Sequence, residues 1–189
     1  MVRLAVMIAI IIIMAFTPLG YLKTGGLSIT LLQIPVVIGA ILMGPVAGAI
    51  LGLAFGLTSL AQTFGMEPFG TMLMSINPLA TVTVCLVPRI LMGYLSGLLF
   101  KALDKASVQK FFSCTIACLS GALINTVFFM GLFILFFYNT EFVQSIAAAL
   151  GAASPIAFIV AFVGINGVIE AVACCVVGGV LSRTLYKYI

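Results

Sequence analysis

Arg89 stands in Val-Pro-Arg-Ile-Leu-Met-Gly (Val87 to Gly93), between the apolar runs Leu79–Leu86 and Ile90–Phe100. A guanidinium keeps its proton, so it must be paired or solvated wherever it sits. In the middle of an apolar membrane span, that need marks a functional site. Its planar fork matches a carboxylate through two parallel hydrogen bonds. Other polar groups share such surroundings: Asn125, the pair Asn166 and Glu170 one helical turn apart, and Thr58, Ser59 and Gln62. Asn and Gln amides can read hydroxyl or amide groups. Aromatic faces such as Tyr94 and Phe128 can cover apolar parts of a ligand.

Other chemistries are poorly supplied. The chain has no His, which removes the commonest general base and transition-metal ligand. Its five cysteines all fall inside apolar runs without a CxxC pair, so neither a disulfide framework nor a zinc site is indicated. They read as small apolar filler. No GxxxxGK[ST] occurs, so ATP hydrolysis by that route is excluded. An intramembrane enzyme would need a base, and no His or Asp lies within a span. No metal and no cofactor is expected.

These groups must be positioned by helices in a bilayer. The 189 residues are 64% hydrophobic and 6% charged, with a mean hydropathy of +1.39. A soluble domain carries about 25% charged residues, so this chain cannot cover a soluble surface. Long apolar runs without strand-like alternation argue for helices, not barrel strands. The net charge of +4 forms no basic stripe suited to nucleic acid. The apolar start after Arg3 lacks a small-residue cleavage pattern and reads as a first helix. The expectation is a single all-α integral membrane domain over 1–189.

Six transmembrane helices are expected, near Val2–Phe16, Leu31–Met43, Val46–Phe64, Leu79–Leu103, Lys110–Phe137 and Pro155–Leu185. A spanning helix takes about 20 residues; the second is short. Outer loops at Thr17–Thr30, Gly65–Pro78 and Tyr138–Ser154 would cap a ligand pocket, the last with a short interfacial helix over Phe142–Leu150. Arg3, Lys101, Lys105, Lys110, Arg183 and Lys187 would share one side, placing both termini in the cytoplasm. Tyr21 and Lys23, and then Met66, Phe69 and Asn77, are candidate gating residues. Gly44, Gly48, Gly52 and Gly56 recur every four residues and form a seam that lets another backbone approach closely.

Depths can be counted at about 1.5 Å per residue. Arg89 lies roughly 18 Å from Lys101, Asn125 roughly 22 Å from Lys110, Glu170 roughly 20 Å from Arg183, and Thr58 roughly 20 Å from the Gly44-Pro45 turn. Four helices thus place polar groups in one slab in the outer half of the bilayer. Alternatives stay open at this stage. Arg89 could pair with Glu170 as a structural ion pair. Asn125 could bond between helices, Asn166 and Glu170 could lock two helices, and Thr58 could bond its own backbone. Gln62 could be merely solvated, and Tyr94 and Phe128 could only pack.

The compact hairpin Ile34-Pro-Val-Val-Ile-Gly-Ala-Ile-Leu-Met-Gly-Pro-Val-Ala-Gly-Ala-Ile-Leu-Gly, followed by Phe55-Gly-Leu-Thr-Ser59, resembles the substrate-binding S component of energy-coupling factor (ECF) vitamin transporters. Pro88-Arg-Ile-Leu-Met-Gly, Gly121-Ala-Leu-Ile-Asn-Thr126 and Asn166-Gly-Val-Ile-Glu170 fit the same group in the same order. The resemblance implies capture of a vitamin at the outer face. It also implies partners: a transmembrane coupling protein and two cytoplasmic ATPase subunits in a prokaryotic plasma membrane. The family's AxxxA docking motif matches Ala5 and Ala9. Absence of His argues against cobalt and nickel, and absence of Trp departs from thiamine members. Arg89 with Asn125 is similar to pantothenate-specific members. If Glu170 neutralises Arg89, riboflavin, pyridoxine or a hydroxymethylpyrimidine becomes the alternative. A stand-alone secondary transporter is the rival class, but no inverted repeat is visible.

Overall fold

The computed structural model describes residues 2–18, 20–24 and 27–186. The elements run α1 (Val2–Ala15), β1 (Tyr21–Thr24), β2 (Leu27–Thr30), α2 (Gln33–Met43), α3 (Pro45–Gln62), α4 (Pro68–Ile76), α5 (Pro78–Lys105), α6 (Lys110–Phe137), α7 (Glu141–Ala149) and α8 (Pro155–Ala173). A π-helical turn, Cys174–Gly178, leads into α9 (Gly179–Tyr186). The fold is helical apart from one short antiparallel hairpin, in which Tyr21 faces Thr30.

Helices α3, α5 and α6 are each long and apolar enough to cross a membrane. The pair Pro155–Gly164 and Gly167–Ser182 adds a fourth, bent by 53°, and α1 and α2 are shorter apolar helices. The long final helix expected from the sequence is therefore broken. Gly164 sits at φ 34°, ψ −128°, a conformation no helix interior uses and one that glycine tolerates. The five-residue π-helical turn interrupts it again.

The stretch expected as a loop between Gly65 and Pro78 contains α4. Pro68 starts it at a position where a missing N–H is harmless. Its buried Leu73 joins an apolar cluster with Val84, Met130, Phe133, Phe137 and Phe158. Nine residues are too few to stand out as an apolar run. The short helix foreseen near Phe142–Leu150 is present as α7, capped by the Thr140 hydroxyl on the Val143 N–H.

Of the glycine seam, Gly48, Gly52 and Gly56 pack inside the molecule against α5, while nothing lies within 4 Å of a Cβ added at Gly44. A Cβ added at Gly48 would lie 2.2 Å from the Gly93 carbonyl oxygen, and one at Gly52 would lie 2.1 Å from the Arg89 carbonyl oxygen. The two backbones touch because neither side presents a side chain there. This contact fixes the height and rotation of α5, and therefore of Arg89.

Candidate functional site

Helix α5 carries Pro88 in its interior. Proline has no N–H, so the carbonyl four residues back, that of Val84, loses its helical partner. In an apolar surrounding an unpaired carbonyl is costly. Arg89 supplies the missing donor: its Nη1 donates to the Val84 carbonyl at 2.7 Å. The guanidinium carbon also lies 4.8 Å from the Phe129 ring centre and 5.4 Å from that of Phe55. Two rings and one carbonyl thus fix the orientation of the cation. Arg89 is only 9% exposed, its Nε has no hydrogen-bond partner, and it makes no ion pair among the described residues.

Arg89 forms part of the wall of a cavity of about 160 Å³. That volume has room for roughly ten waters, so it suits a small molecule. Thr81, Val84, Cys85 and Arg89 come from one face of α5. Helix α6 adds Asn125, Thr126 and Phe129. Ser59 and Thr63 come from the end of α3, Phe69 and Leu73 from α4, and Phe162 and Glu170 from α8. The Asn125 Oδ1 is buried without a partner. A buried amide oxygen left open costs about 1–3 kcal/mol, which a ligand donor would recover.

Glu170 occupies another part of the wall. Its Oε1 accepts from the backbone N–H of Thr30 at 2.7 Å, tying α8 to the end of the hairpin. It makes no ion pair with Arg89 among the described residues. The structural pair left open by the sequence is therefore not formed. Phe69 reaches the cavity from α4 and packs on Phe133 and Phe162, with ring centres 5.8 and 5.6 Å away.

The cavity thus brings together Arg89, Asn125, Glu170 and Phe69. Other sequence candidates lie outside its wall. The Thr58 hydroxyl donates to the Phe55 carbonyl at 2.8 Å; its neighbour Ser59, about 100° further round the helix, faces the cavity instead. Gln62 donates from Nε2 to the Ala15 carbonyl at 2.7 Å and so satisfies the buried last carbonyl of α1. Asn77 caps α5, accepting the Ala80 N–H at 3.1 Å. Tyr94 and Phe128 are exposed on the outside of their helices, while Phe129, one residue on, stacks on Arg89. Met66 is exposed. The side chains of Tyr21, Lys23 and Asn166 lie outside the described residues. Ala5 and Ala9 are exposed on α1. The structure places Ser59, named beside Thr58 in the sequence, in the wall and adds Thr63, Glu67, Phe129 and Phe162.

Comparison with known proteins settles the family. The model of the ECF transporter, substrate-specific component, matches residues 1–181. The chain is an ECF S component. The family description is that of the substrate-specific component of a transporter. This S component is 34% identical over 126 residues to the pantothenate transporter PanT of Leuconostoc mesenteroides subsp. mesenteroides. The match covers 63% of this chain and 60% of that protein, so the S component spans less than two thirds of its relative's length.

Proposed function

We propose that this S component binds pantothenate with high affinity from the outer side of the membrane. The observation that carries the reading is the fixed guanidinium of Arg89, with an unbonded Nε and no ion pair among the described residues, facing a small cavity beside the open Asn125 amide. A carboxylate on Arg89 and an amide or hydroxyl on Asn125 would complete both groups. The name of the Leuconostoc relative supports the same vitamin. In this reading α1, α2, α3, α5, α6 and the bent α8–α9 pair are the six crossings, and both termini are cytoplasmic. The first hairpin, with Tyr21 and Lys23, and α4, with Phe69 and the adjoining Met66, gate the pocket. Ala5 and Ala9 dock a transmembrane coupling protein, and two cytoplasmic ATPase subunits supply the energy.

Purified protein offered pantothenate, riboflavin, pyridoxine and hydroxymethylpyrimidine in a calorimeter tests the reading. Pantothenate is expected to bind at micromolar concentration or below, with the others at least about a hundredfold weaker. Preference for any of the other three rejects it.

The proline beside Arg89 gives a second test. Pro88→Ala restores an N–H that competes for the Val84 carbonyl and frees Nη1 to reorient. The helix should gain stability, since an interior proline costs about 3 kcal/mol. Pantothenate affinity should fall about five- to tenfold as the cation loses its fixed aim. A higher melting temperature with unchanged affinity would show that Pro88 does not position Arg89.

A further inference from the structure

The cavity has a second charged end whose role is not fixed by the carboxylate-binding reading. An ionised carboxylate only accepts hydrogen bonds, at roughly four lone-pair positions. The Thr30 N–H takes one position on Glu170. Arg89 takes none, because the two groups stand further apart than the 4.0 Å of an ion pair. Glu170 nevertheless faces the same cavity. Beside it lies Gln33, the first residue of α2, whose side chain, like that of Thr30, approaches the Glu170 carboxylate closely enough for a polar contact. Gln33 is completely buried, and neither its amide nitrogen nor its amide oxygen has a hydrogen-bond partner. The corner formed by Thr30, Gln33 and Glu170 is thus polar, partly buried and, at the Gln33 amide, incompletely bonded.

We propose that Glu170 is the acceptor pole of the binding site and reads hydroxyl donors at the end of the ligand remote from its carboxylate. This rests on the reading of Arg89 as the carboxylate clamp. A carboxylate repels the anionic end of an acid, which leaves that end to Arg89. It accepts a hydroxyl through a charge-assisted hydrogen bond, about twice as strong as a neutral one. The two poles therefore orient the ligand as well as hold it. The substrate class is a small acid with a hydroxyl at its far end. Because Glu170 also holds Thr30, the same carboxylate joins the ligand to the hairpin.

The wall holds another carboxylate, Glu67, between α3 and α4, so the test must separate the two. Binding of pantothenate is compared with binding of the analogue whose terminal CH2OH is replaced by CH3. A site built to bond a hydroxyl rejects the analogue lacking it. The wild-type protein should prefer pantothenate by about a hundredfold or more. Glu170→Gln should reduce that ratio about tenfold, since the amide keeps an acceptor but loses the charge. Glu170→Leu should bring the ratio near one, and Glu67→Gln should leave it unchanged.

A wild-type ratio near one overturns the proposal without recourse to any variant. So does an equal loss for both ligands in the Glu170 variants, the result expected if Glu170 only holds the hairpin. A ratio that collapses in Glu67→Gln assigns the pole to Glu67 and overturns it as well. In each of these cases the pantothenate reading survives. Failure of the wild-type protein to bind pantothenate at all overturns both.

Discussion

Arg89→Ala is expected to weaken pantothenate binding by about a thousandfold while leaving the fold intact. The variant removes two charge-assisted hydrogen bonds to the carboxylate, together about 4 kcal/mol. Its effect on stability should be smaller, because two costs oppose one another. The Val84 carbonyl loses its donor, Nη1, and Phe55 and Phe129 lose the cation between them. Against this, a buried charge leaves the bilayer, a gain of about 2.5–3.5 kcal/mol on insertion scales. Arg89→Lys should retain roughly a tenth to a hundredth of the affinity, because an ammonium keeps the charge but loses the fork and the ring contacts. The decisive control is the primary amide of the vitamin. Wild type should prefer the acid strongly over the amide, and Arg89→Ala should bind the two alike. Equal loss of both ligands would mean that Arg89 shapes the cavity without touching the carboxylate.

The importance of Arg89 was legible in the sequence because a permanent cation cannot be accommodated among hydrocarbon without a partner. Its neighbours Asn125 and Glu170 were legible for the same reason, and counting helical rise placed all three at one depth. The depth count carried no information about rotation. Thr58 and Ser59 share a depth, yet Thr58 bonds its own helix and Ser59 faces the cavity. Phe128 and Phe129 divide in the same way, one exposed and one on the guanidinium. Gln62 looked like a ligand contact, but it satisfies the last carbonyl of α1, a demand visible only once the helix ends are known. Glu67 falls within Gly65–Pro78, the stretch expected as an outer loop, because the short helix α4 that follows it leaves no long apolar run. The break at Gly164 was hidden among apolar residues, since one glycine in such a run is common and its φ is not written in the sequence.

The glycine seam was legible as a close approach, while its partner helix was not, and that partner makes Gly52 a sensitive position. A methyl added at Gly52 would meet the Arg89 carbonyl oxygen at 2.1 Å, its carbonyl carbon at 2.8 Å and the Ile90 Cα at 3.1 Å. All three are backbone atoms, so no side chain can turn aside. Carbon atoms rest about 3.5–4.0 Å apart, so α5 would have to retreat by roughly 1 Å. Gly52→Ala should therefore lower stability by about 1–3 kcal/mol through overpacking. It should also carry Arg89 away from its ligand, and displacement of this size is the scale at which positioned groups lose most of their effect. A tenfold or larger fall in pantothenate affinity is the expected reading, alongside a lower melting temperature. Gly131→Ala in α6 is the matched control, because nothing lies within 4 Å of its added Cβ. There the loss of glycine's chain freedom should stabilise the helix by about 0.5–1 kcal/mol with binding unchanged. Gly56→Ala, where the nearest backbone atom, the Cys85 carbonyl oxygen, lies at 2.9 Å, should fall between the two. If all three variants melt and bind alike, α3 does not set the position of α5, and the guanidinium must be held in place by Val84, Phe55 and Phe129 alone.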